Sequence, residues 1–330
     1  MQVLLSAMLA VSLALAVPPP ATATPGLRDH PRTLHVARAA QAPGDGSSAR
    51  PYPRIAQALA VAVAGDTVLV GPGRYAEEVR TVRPGRPGAP IRVVGRPGAH
   101  LAGPHGRARG RLVQVLHDDV TLASLELSDA NILVWVQGAS HVRLLGSRLH
   151  DADGECVRLK GFAQANEIAG NVIARCGRAR FNLARGTKNG EAVYIGTAPE
   201  QAGGLPDRSD GNRVRHNRIA ATAECVDIKE ASRKNLVERN RCSGGDDPDG
   251  AGFSSRGDHN SFRSNLSTRH AGAGIRLGGD KPGQGVRNDV VGNTLTGNAG
   301  YGLKVMRRPQ GRIAGNTFAR NRRGPTNQRP

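Results

Sequence analysis

Aromatic and acidic residues are scarce in this sequence, and it has few cysteines. Phe, Trp and Tyr make up 3% of the 330 residues, and the formal net charge is +19. None of the four cysteines belongs to a Cys-x-x-Cys pair, which argues against a zinc site. After Val17 no apolar run is long enough to cross a bilayer, which excludes a membrane span in the rest of the chain.

An uncharged apolar run occupies residues 1–17, and the small residues Ala21-Thr22-Ala23 follow it. This pattern predicts a signal peptide over residues 1–23, although the usual positive start is missing. We therefore expect a secreted or periplasmic protein with no membrane span. The remaining length suits one domain.

The excess of arginine and lysine predicts attraction to polyanions. An arginine-rich composition can also reflect a GC-rich genome, so charge alone selects no partner. Export favours an acidic polysaccharide over nucleic acid. We accordingly expect an acidic polysaccharide as partner, no nucleic acid, and a monomer.

The first third of the sequence predicts one short helix followed by strands. Residues 53–64 place Ile55, Leu59 and Ala62 on one helical face, and Gly65-Asp66 ends the helix. Strand-like runs follow at 67–70, 91–94, 112–116 and 120–127. A helix over the first coil would cover an otherwise open sheet end.

A short repeat begins near residue 155 and indicates the fold. Its alternating units occupy 155–160, 191–196, 224–229, 251–256, 273–278 and 301–306. Stacking them would bury one inward column: Val157, Val193, Val226, Phe253, Ile275 and Leu303. A propeller blade or a helical repeat needs a longer unit.

Pairs of asparagines follow most of these units. They are Asn166 and Asn171, Asn212 and Asn217, Asn235 and Asn240, Asn260 and Asn265, and Asn288 and Asn293. The step between equivalent asparagines is 23 to 28 residues, except where 177–190 and 197–211 intervene as inserted loops. We expect the asparagines to form ladders at the turns of stacked coils.

The repeat predicts an all-β chain: a right-handed parallel β-helix over residues 24–319 with a short N-terminal capping helix. Residues 320–330 have no strand pattern and predict a disordered basic tail.

In an exported chain the cysteines predict two disulfides, of which three pairings are possible. Cys156 with Cys176 and Cys225 with Cys242 are favoured, because each pair is separated by about one coil; free buried thiols are the alternative.

Side chains alternate along a strand, so two outward columns flank the inward one, with neighbours about 4.8 Å apart. One column is Arg158, Tyr194, Asp227, Ser254, Arg276 and Lys304, and the other is Lys160, Gly196, Lys229, Arg256, Gly278 and Met306. From these we predict a polymer-binding face made of Arg158, Lys160, Tyr194, Asp227 and Arg276.

Three glutamates, Glu155, Glu191 and Glu224, stand at the turn before these strands. Carboxylates one rung apart repel each other, which raises a pKa unless a cation intervenes. Calcium accepts several oxygen ligands, and Asn189, Glu191 and Glu224 could supply three. The alternative is pairing with Arg158, Lys160 or Lys229.

Lys229 and Arg256 lie one rung apart beside these glutamates. Two adjacent cations disfavour each other's charge, so we expect the pKa of Lys229 to fall towards the range of a general base. Abstraction of a proton α to a carboxylate, as in β-elimination from a uronic acid, requires such a base together with a cation and an acid.

These motifs resemble a known family. Asn189-Gly190-Glu191, the segment 224–229 and Ser255-Arg256-Gly257 resemble the signature of the polysaccharide lyase family that contains chondroitinase B and alginate lyases. The resemblance implies a right-handed parallel β-helix with Lys229 as base, Arg256 as acid, and calcium on Asn189 and Glu224 with Glu191 nearby. It covers about residues 188–260, and the segment 53–74 also resembles the cap of pectin-lyase-like proteins.

Two positions depart from that signature. Thr222 stands where the family usually has another calcium-ligating Glu, and Tyr194 stands where an Arg is usual. Either change could weaken the metal site or alter the substrate.

Three functions therefore stay open. The leading hypothesis is a calcium-assisted lyase of a uronate-containing polysaccharide. A C5-epimerase would share the proton abstraction, and a non-catalytic carbohydrate-binding or cell-surface β-helix would share only the face.

Overall fold

The computed structural model describes residues 30–104 and 110–328. The predicted signal peptide lies outside these residues. The predicted right-handed parallel β-helix is confirmed: the chain forms a solenoid of about 10 turns whose coils contribute to three parallel sheets. Strands are numbered below in chain order.

The first sheet has eleven strands. They are β1 (Thr33–Val36), β2 (Thr67–Val70), β5 (Ile91–Gly95), β8 (Val120–Ala123), β11 (Arg143–Leu145), β14 (Glu167–Ala169), β19 (Arg213–Arg215), β22 (Leu236–Glu238), β25 (Ser261–Arg263), β28 (Asp289–Val291) and β31 (Ile313–Ala314).

The second sheet has ten strands. They are β3 (Gly73–Ala76), β6 (Ala99–Ala102), β9 (Glu126–Ser128), β12 (Arg148–His150), β15 (Val172–Ala174), β20 (Arg218–Ala221), β23 (Arg241–Gly244), β26 (Leu266–Thr268), β29 (Thr294–Thr296) and β32 (Thr317–Ala319).

The third sheet, called the site sheet below, has nine strands. They are β4 (Val79–Arg80), β7 (Arg111–Val115), β10 (Ile132–Gln137), β13 (Val157–Lys160), β18 (Val193–Ile195), β21 (Val226–Ile228), β24 (Ala251–Ser255), β27 (Ala273–Leu277) and β30 (Leu303–Val305). A separate antiparallel hairpin joins β16 (Phe181–Asn182) to β17 (Thr187–Lys188).

The inward column of the repeat is confirmed. Val157, Val193, Val226, Phe253, Ile275 and Leu303 lie opposite one another on successive strands of the site sheet, and all are buried. Because strand side chains alternate, this register sends every second residue outward. The register therefore decides which side chains can reach a ligand.

One predicted strand proves to be two. The run at 120–127 reads as a single alternating strand, but the chain turns at Ser124, which has φ of 55°. The turn sends β8 into the first sheet and β9 into the second. A single residue in the left-handed region is enough to change direction, and the apolar pattern does not reveal it.

The capping helix α1 spans Ile55–Val61, shorter than predicted because Ala62 is already extended. Ile55, Leu59 and Ala62 are buried as expected. The Glu77 side chain accepts a hydrogen bond from the backbone N of Ile55 at 2.8 Å and so satisfies a free donor at the helix start. No helix in the described parts of the chain is long and apolar enough to span a membrane.

Both predicted disulfides are present. Cys156 bonds to Cys176 and Cys225 bonds to Cys242, with Cα atoms 5.5 and 6.0 Å apart.

The prediction of a disordered tail needs correction, because the described part of the tail pairs with the last coil. Leu303 forms a parallel β-bridge with Thr326, and the backbone N of Val305 donates a hydrogen bond to Asn327 Oδ1. Backbone hydrogen bonds to an open coil end order a segment that has no apolar pattern of its own.

The asparagines form two ladders through the turns, as expected. In one of them, Asn240 accepts hydrogen bonds from the backbone N and side chain of Asn217, and donates to Val214 O and Asn265. The side chain of Asn240 is buried. Each rung thus satisfies backbone groups that the turn leaves without a strand partner.

Asn240→Ala is expected to destabilise the fold by about 2 to 4 kcal/mol, because it leaves buried donors and acceptors without partners. Urea unfolding followed by circular dichroism measures this change. Asn182→Ala is the control: Asn182 caps an exposed turn, and its loss should cost about 1 kcal/mol or less. Equal losses at the two positions would mean that the ladder does not stabilise the solenoid.

Candidate active site

The outer face of the site sheet carries both predicted columns. Register pairs place Arg158, Tyr194, Asp227, Ser254, Arg276 and Lys304 on successive strands. In the second column the backbone nitrogens of Lys229, Arg256 and Met306 each donate a hydrogen bond to a carbonyl of the preceding coil. The columns are thus built as the repeat predicts, and polar side chains gather at their centre.

A cavity of about 180 Å³ opens at this centre. Eight of the ten predicted site residues line it: Arg158, Asn189, Glu191, Tyr194, Glu224, Asp227, Lys229 and Arg256. Lys160 and Arg276 do not line it. Lys160 lies beside Trp135, and Arg276 is 3.8 Å from Asp280.

Lys229 forms a buried ion pair. Its Nζ lies 2.5 Å from Asp227 Oδ2, and only 6% of Lys229 is exposed. Burial by itself lowers the pKa of Lys229, but the negative charge of Asp227, followed by Tyr194 and Glu191, raises it above its ordinary value. The predicted fall in this pKa is therefore wrong, since Asp227 outweighs the repulsion from Arg256.

Arg256 holds its proton more tightly than a free arginine. Burial lowers its pKa, but Asp227, Glu230 and Asp280 together raise it. The nearest carboxylate oxygens, those of Asp280 and Glu230, are 3.3 and 3.7 Å from Arg256. A raised pKa favours Arg256 as a fixed positive charge over a proton donor.

Tyr194 lies between two cations. The guanidinium carbon of Arg158 is 4.1 Å from the ring centroid, and Lys229 Nζ is 4.5 Å from it. Burial raises the pKa of Tyr194 to about 12, while Lys229 and Arg158 act in the opposite direction. The hydroxyl is therefore neutral at physiological pH, and a phenolate would be stabilised by both neighbours.

The three predicted glutamates differ in their partners. Glu155 pairs with Arg158 at 2.6 Å, as the alternative prediction had it. Burial, with the charges of Glu155 and Asp227, raises the pKa of Glu191 to about 7. Burial, followed by the charges of Asp227 and Glu191, raises the pKa of Glu224 to about 8.

Several buried polar atoms at this site have no hydrogen-bond partner. Within the part of the chain that the structure describes, they include Asp227 Oδ1 on β21, Ser254 Oγ on the next strand, β24, and Nε of Arg256, which directly follows β24. Leaving such groups unpaired costs about 1 to 3 kcal/mol each. Native proteins tolerate this mainly where water, an ion or a ligand completes the site.

Two inserted loops supply wall residues that were not predicted. Lys188, in the 177–190 insertion, is 2.8 Å from Asp247, and Gln201, in the 197–211 insertion, accepts a hydrogen bond from Arg158 at 3.2 Å. The sequence signal that could have pointed to Lys188 and Gln201 was the interruption of the repeat by these two loops. Asp247 follows β23 and carries no signal in the sequence.

A second cluster has the composition of a metal site but cannot act as one. Cys225, Cys242 and His270 lie close enough together to share an ion. The disulfide between the two cysteines uses both thiols. Burial lowers the pKa of His270 to about 3, so this imidazole stays neutral.

Comparison with known proteins agrees with the fold described above. A sequence model for the right handed beta helix region matches residues 113–318. No curated protein sequence matches the chain. Its structural neighbours include several polysaccharide lyases.

Three solved structures illustrate this likeness. An alginate lyase from Paenibacillus sp. str. FPU-7 is 18% identical, with a TM-score of 0.71 over 90% of this chain and 99% of that one. Pectate lyase Pel9A is 14% identical, with a TM-score of 0.66 over 86% and 78%. A mannuronic acid specific family 6 lyase from human gut microbiota is 18% identical, with a TM-score of 0.56 over 83% of this chain and 63% of that one. At these identities the likeness is one of fold.

Proposed function

The protein belongs to the right-handed β-helix family, and on that premise we propose that it is a lyase that cleaves a uronate-containing polysaccharide by β-elimination. One observation carries the proposal. Lys229, Arg256 and Tyr194 line a single cavity on the face where stacked coils can hold an extended polymer. The lyases among the structural neighbours support it.

β-Elimination from a uronate needs a positive charge at the carboxylate, an acceptor for the C5 proton and a donor for the leaving oxygen. We assign the positive charge to Lys229 and Arg256, since both hold their protons firmly. This role differs from the base and acid that the family resemblance implies. Those assignments remain predictions, and the raised pKa values oppose them.

Proton transfer is assigned to Tyr194. Its hydroxyl is neutral in the free protein, so it can donate to the leaving glycosidic oxygen. As the hydroxyl proton moves to the leaving O4, the tyrosine oxygen takes up the C5 proton, so the C5–H and C4–O bonds break, the C4–C5 double bond forms and Tyr194 ends the step neutral. Arg158 and Lys229 face its ring and stabilise the negative charge that develops on the tyrosine oxygen during the transfer.

Calcium remains part of the proposal. Asn189, Glu191 and Glu224 offer hard oxygen ligands in one cavity, and burial, followed by neighbouring carboxylates, raises the pKa of both glutamates in spite of Lys229. These donors fit calcium. A bound ion would supply positive charge for a substrate carboxylate.

We propose that the protein works outside the cytoplasm, secreted or periplasmic, as a monomer. Its two disulfides suit an oxidising compartment. An acidic polysaccharide fits the charge of the chain.

The deciding experiment incubates the protein with polymannuronate, polygalacturonate and a glycosaminoglycan. A lyase yields an unsaturated product that absorbs in the ultraviolet. An inverted C5 centre without cleavage would instead indicate a C5-epimerase. Binding without any reaction would indicate a non-catalytic carbohydrate-binding protein, and either result would overturn the lyase proposal.

Calcium is expected to stabilise the fold by about 2.7 kcal/mol at 100 times its dissociation constant. Thermal melting with calcium and with EDTA measures this. Without calcium, stability should fall as the pH rises from about 4.5 towards 8, because unfolding lets Glu191 and Glu224 ionise at their ordinary values. Calcium must displace the same protons, so its affinity should rise over that interval.

Glu224→Gln is the matched variant for this prediction. It should remove the calcium effect and the share of the pH dependence that Glu224 contributes, while keeping the side-chain volume. Identical melting temperatures with calcium and EDTA in the unaltered protein, together with no binding heat, would remove the metal from the proposal.

A further inference from the structure

A second charged group lies on the site sheet, outside the cavity. It is called the Trp135 patch and consists of Arg111, Trp135 and Lys160. The guanidinium carbon of Arg111 stacks 3.6 Å from the ring centroid of Trp135, and Lys160 Nζ lies 5.2 Å from it. Trp135 is buried beneath them, and its Nε1 donates to Gln137.

Neither cation of the patch forms an ion pair within the described residues. Among residues 30–104 and 110–328, no carboxylate lies within 4.0 Å of Arg111 or Lys160. Glu155, at the turn before β13, is already paired with Arg158. The segment 105–109, just before β7, contains two arginines and no acid.

Burial and mutual repulsion act on both cations. The pKa of Lys160 is lowered, first by burial and then by Arg158 and Arg111, against the opposing charges of Asp207 and Glu155. The pKa of Arg111 is lowered by burial and by Arg158. Neither cation is paired at short range with a carboxylate in the described parts of the chain, whereas each cation of the cavity lies within ion-pair distance of one. An anionic group bound between Arg111 and Lys160 would relieve this repulsion.

The patch is in line with the cavity. Trp135 lies opposite Arg158, and Arg158 lies opposite Tyr194, so two strand spacings separate Trp135 from Tyr194. That is roughly 10 Å along the solenoid. A short oligouronate laid across the strands reaches from one to the other.

We propose that Arg111 and Lys160 form a subsite that binds a second carboxylate of the polymer, with Trp135 holding the Arg111 guanidinium in place. The proposal rests on the proposed function and adds to it the direction of the bound chain, along the site sheet from β21 towards β7. It makes affinity depend on polymer length, because only a chain that spans both places meets both sets of cations.

The test is calorimetric binding of mannuronate oligomers, a tetrasaccharide and a disaccharide, to protein carrying Tyr194→Phe so that the ligand stays intact. Adding Arg111→Ala and Lys160→Ala should weaken tetrasaccharide binding about tenfold or more, since two partly buried ion pairs are lost. Disaccharide binding, which the cavity alone can satisfy, should change less than about twofold. Arg111 and Lys160 are partly exposed, and thermal melting checks that the variants fold.

Lys304→Ala is the control, because Lys304 is a cation on the outer face of the same sheet, in the column of Arg158 and Tyr194, on the strand β30 at the opposite end from β7. Equal weakening by Lys304→Ala, or tetrasaccharide binding untouched by the double change, would overturn the subsite. Length-dependent binding through the patch without any unsaturated product from the unaltered protein would overturn the lyase but keep the subsite. Failure of the unaltered protein to bind either oligomer, or polygalacturonate, would overturn both.

Discussion

Turnover on a uronate polymer is expected to fall roughly 10²- to 10³-fold when Lys229 is replaced by Ala, because a positive charge aimed at the developing negative charge is lost. Polymer affinity should change little, since Arg158 and Arg256 still face the cavity. The measurement is kcat and KM from the absorbance of the unsaturated product. A loss confined to KM would make Lys229 a ground-state binding residue.

Lys229→Arg separates the two possible roles of this residue. Arginine keeps the charge but cannot serve as a base, because its pKa stays above about 12. If Lys229 acts as a charge, the arginine variant should recover part of the activity that alanine loses. An arginine variant as inactive as the alanine variant would restore the base assignment.

Removing Lys229 also leaves Asp227 buried without its partner, which can cost about 3 to 5 kcal/mol. The combined variant Lys229→Ala with Asp227→Asn removes both charges and tests activity in a protein that folds. Lys304→Ala serves as a matched control on the same face. Equal losses of turnover at Lys229 and Lys304 would favour a binding face over a reaction centre.

Tyr194→Phe is expected to lower kcat by roughly 10²- to 10⁴-fold with KM nearly unchanged, because the ring and its contacts with Arg158 and Lys229 remain while the transferable proton is lost. The variant should melt at nearly the same temperature, since its hydroxyl makes no protein hydrogen bond among the described residues. Tyr301→Phe, outside the cavity, is the control. Full turnover in the Tyr194 variant would show that proton transfer uses another group.

A pH profile adds an independent check on Tyr194. If its hydroxyl proton is transferred in the reaction, the rate should not depend on a tyrosine titration until the pH approaches about 12. Any ionisation seen between about 7 and 8 should then come from Glu191 and Glu224, and Glu224→Gln should remove the part near 8 while leaving the part near 7 that belongs to Glu191.

Most of the fold and the membership of the site could be predicted from the repeat. Strand side chains alternate and coils stack in register, so aligning six short units placed Arg158, Tyr194 and Asp227 on adjacent rungs. The same alignment brought each cysteine pair within bonding distance. The pattern did not predict the turn at Ser124, where a single residue changes the direction of the chain.

The charge states could not be predicted in this way. Sequence spacing showed that Lys229 and Arg256 are neighbours, but the pKa of Lys229 depends on which oppositely charged group lies closest and on how deeply the pair is buried. Asp227 is two residues from Lys229 in the chain, and its contact at 2.5 Å reverses the expected shift. Distances of a few ångströms decide such shifts, and a repeat alignment does not contain them.

The sequence by itself determined the solenoid, its inward column, its asparagine ladders and its disulfides, because each follows from a local period repeated along the chain. Only the tertiary structure decided how the inserted loops bring Lys188 and Gln201 to the cavity, which carboxylates are paired, and that Arg111 and Lys160 meet over Trp135. These arrangements join residues far apart in the chain. Their energies depend on burial and on the nearest opposite charge, which exist only once the coils have stacked.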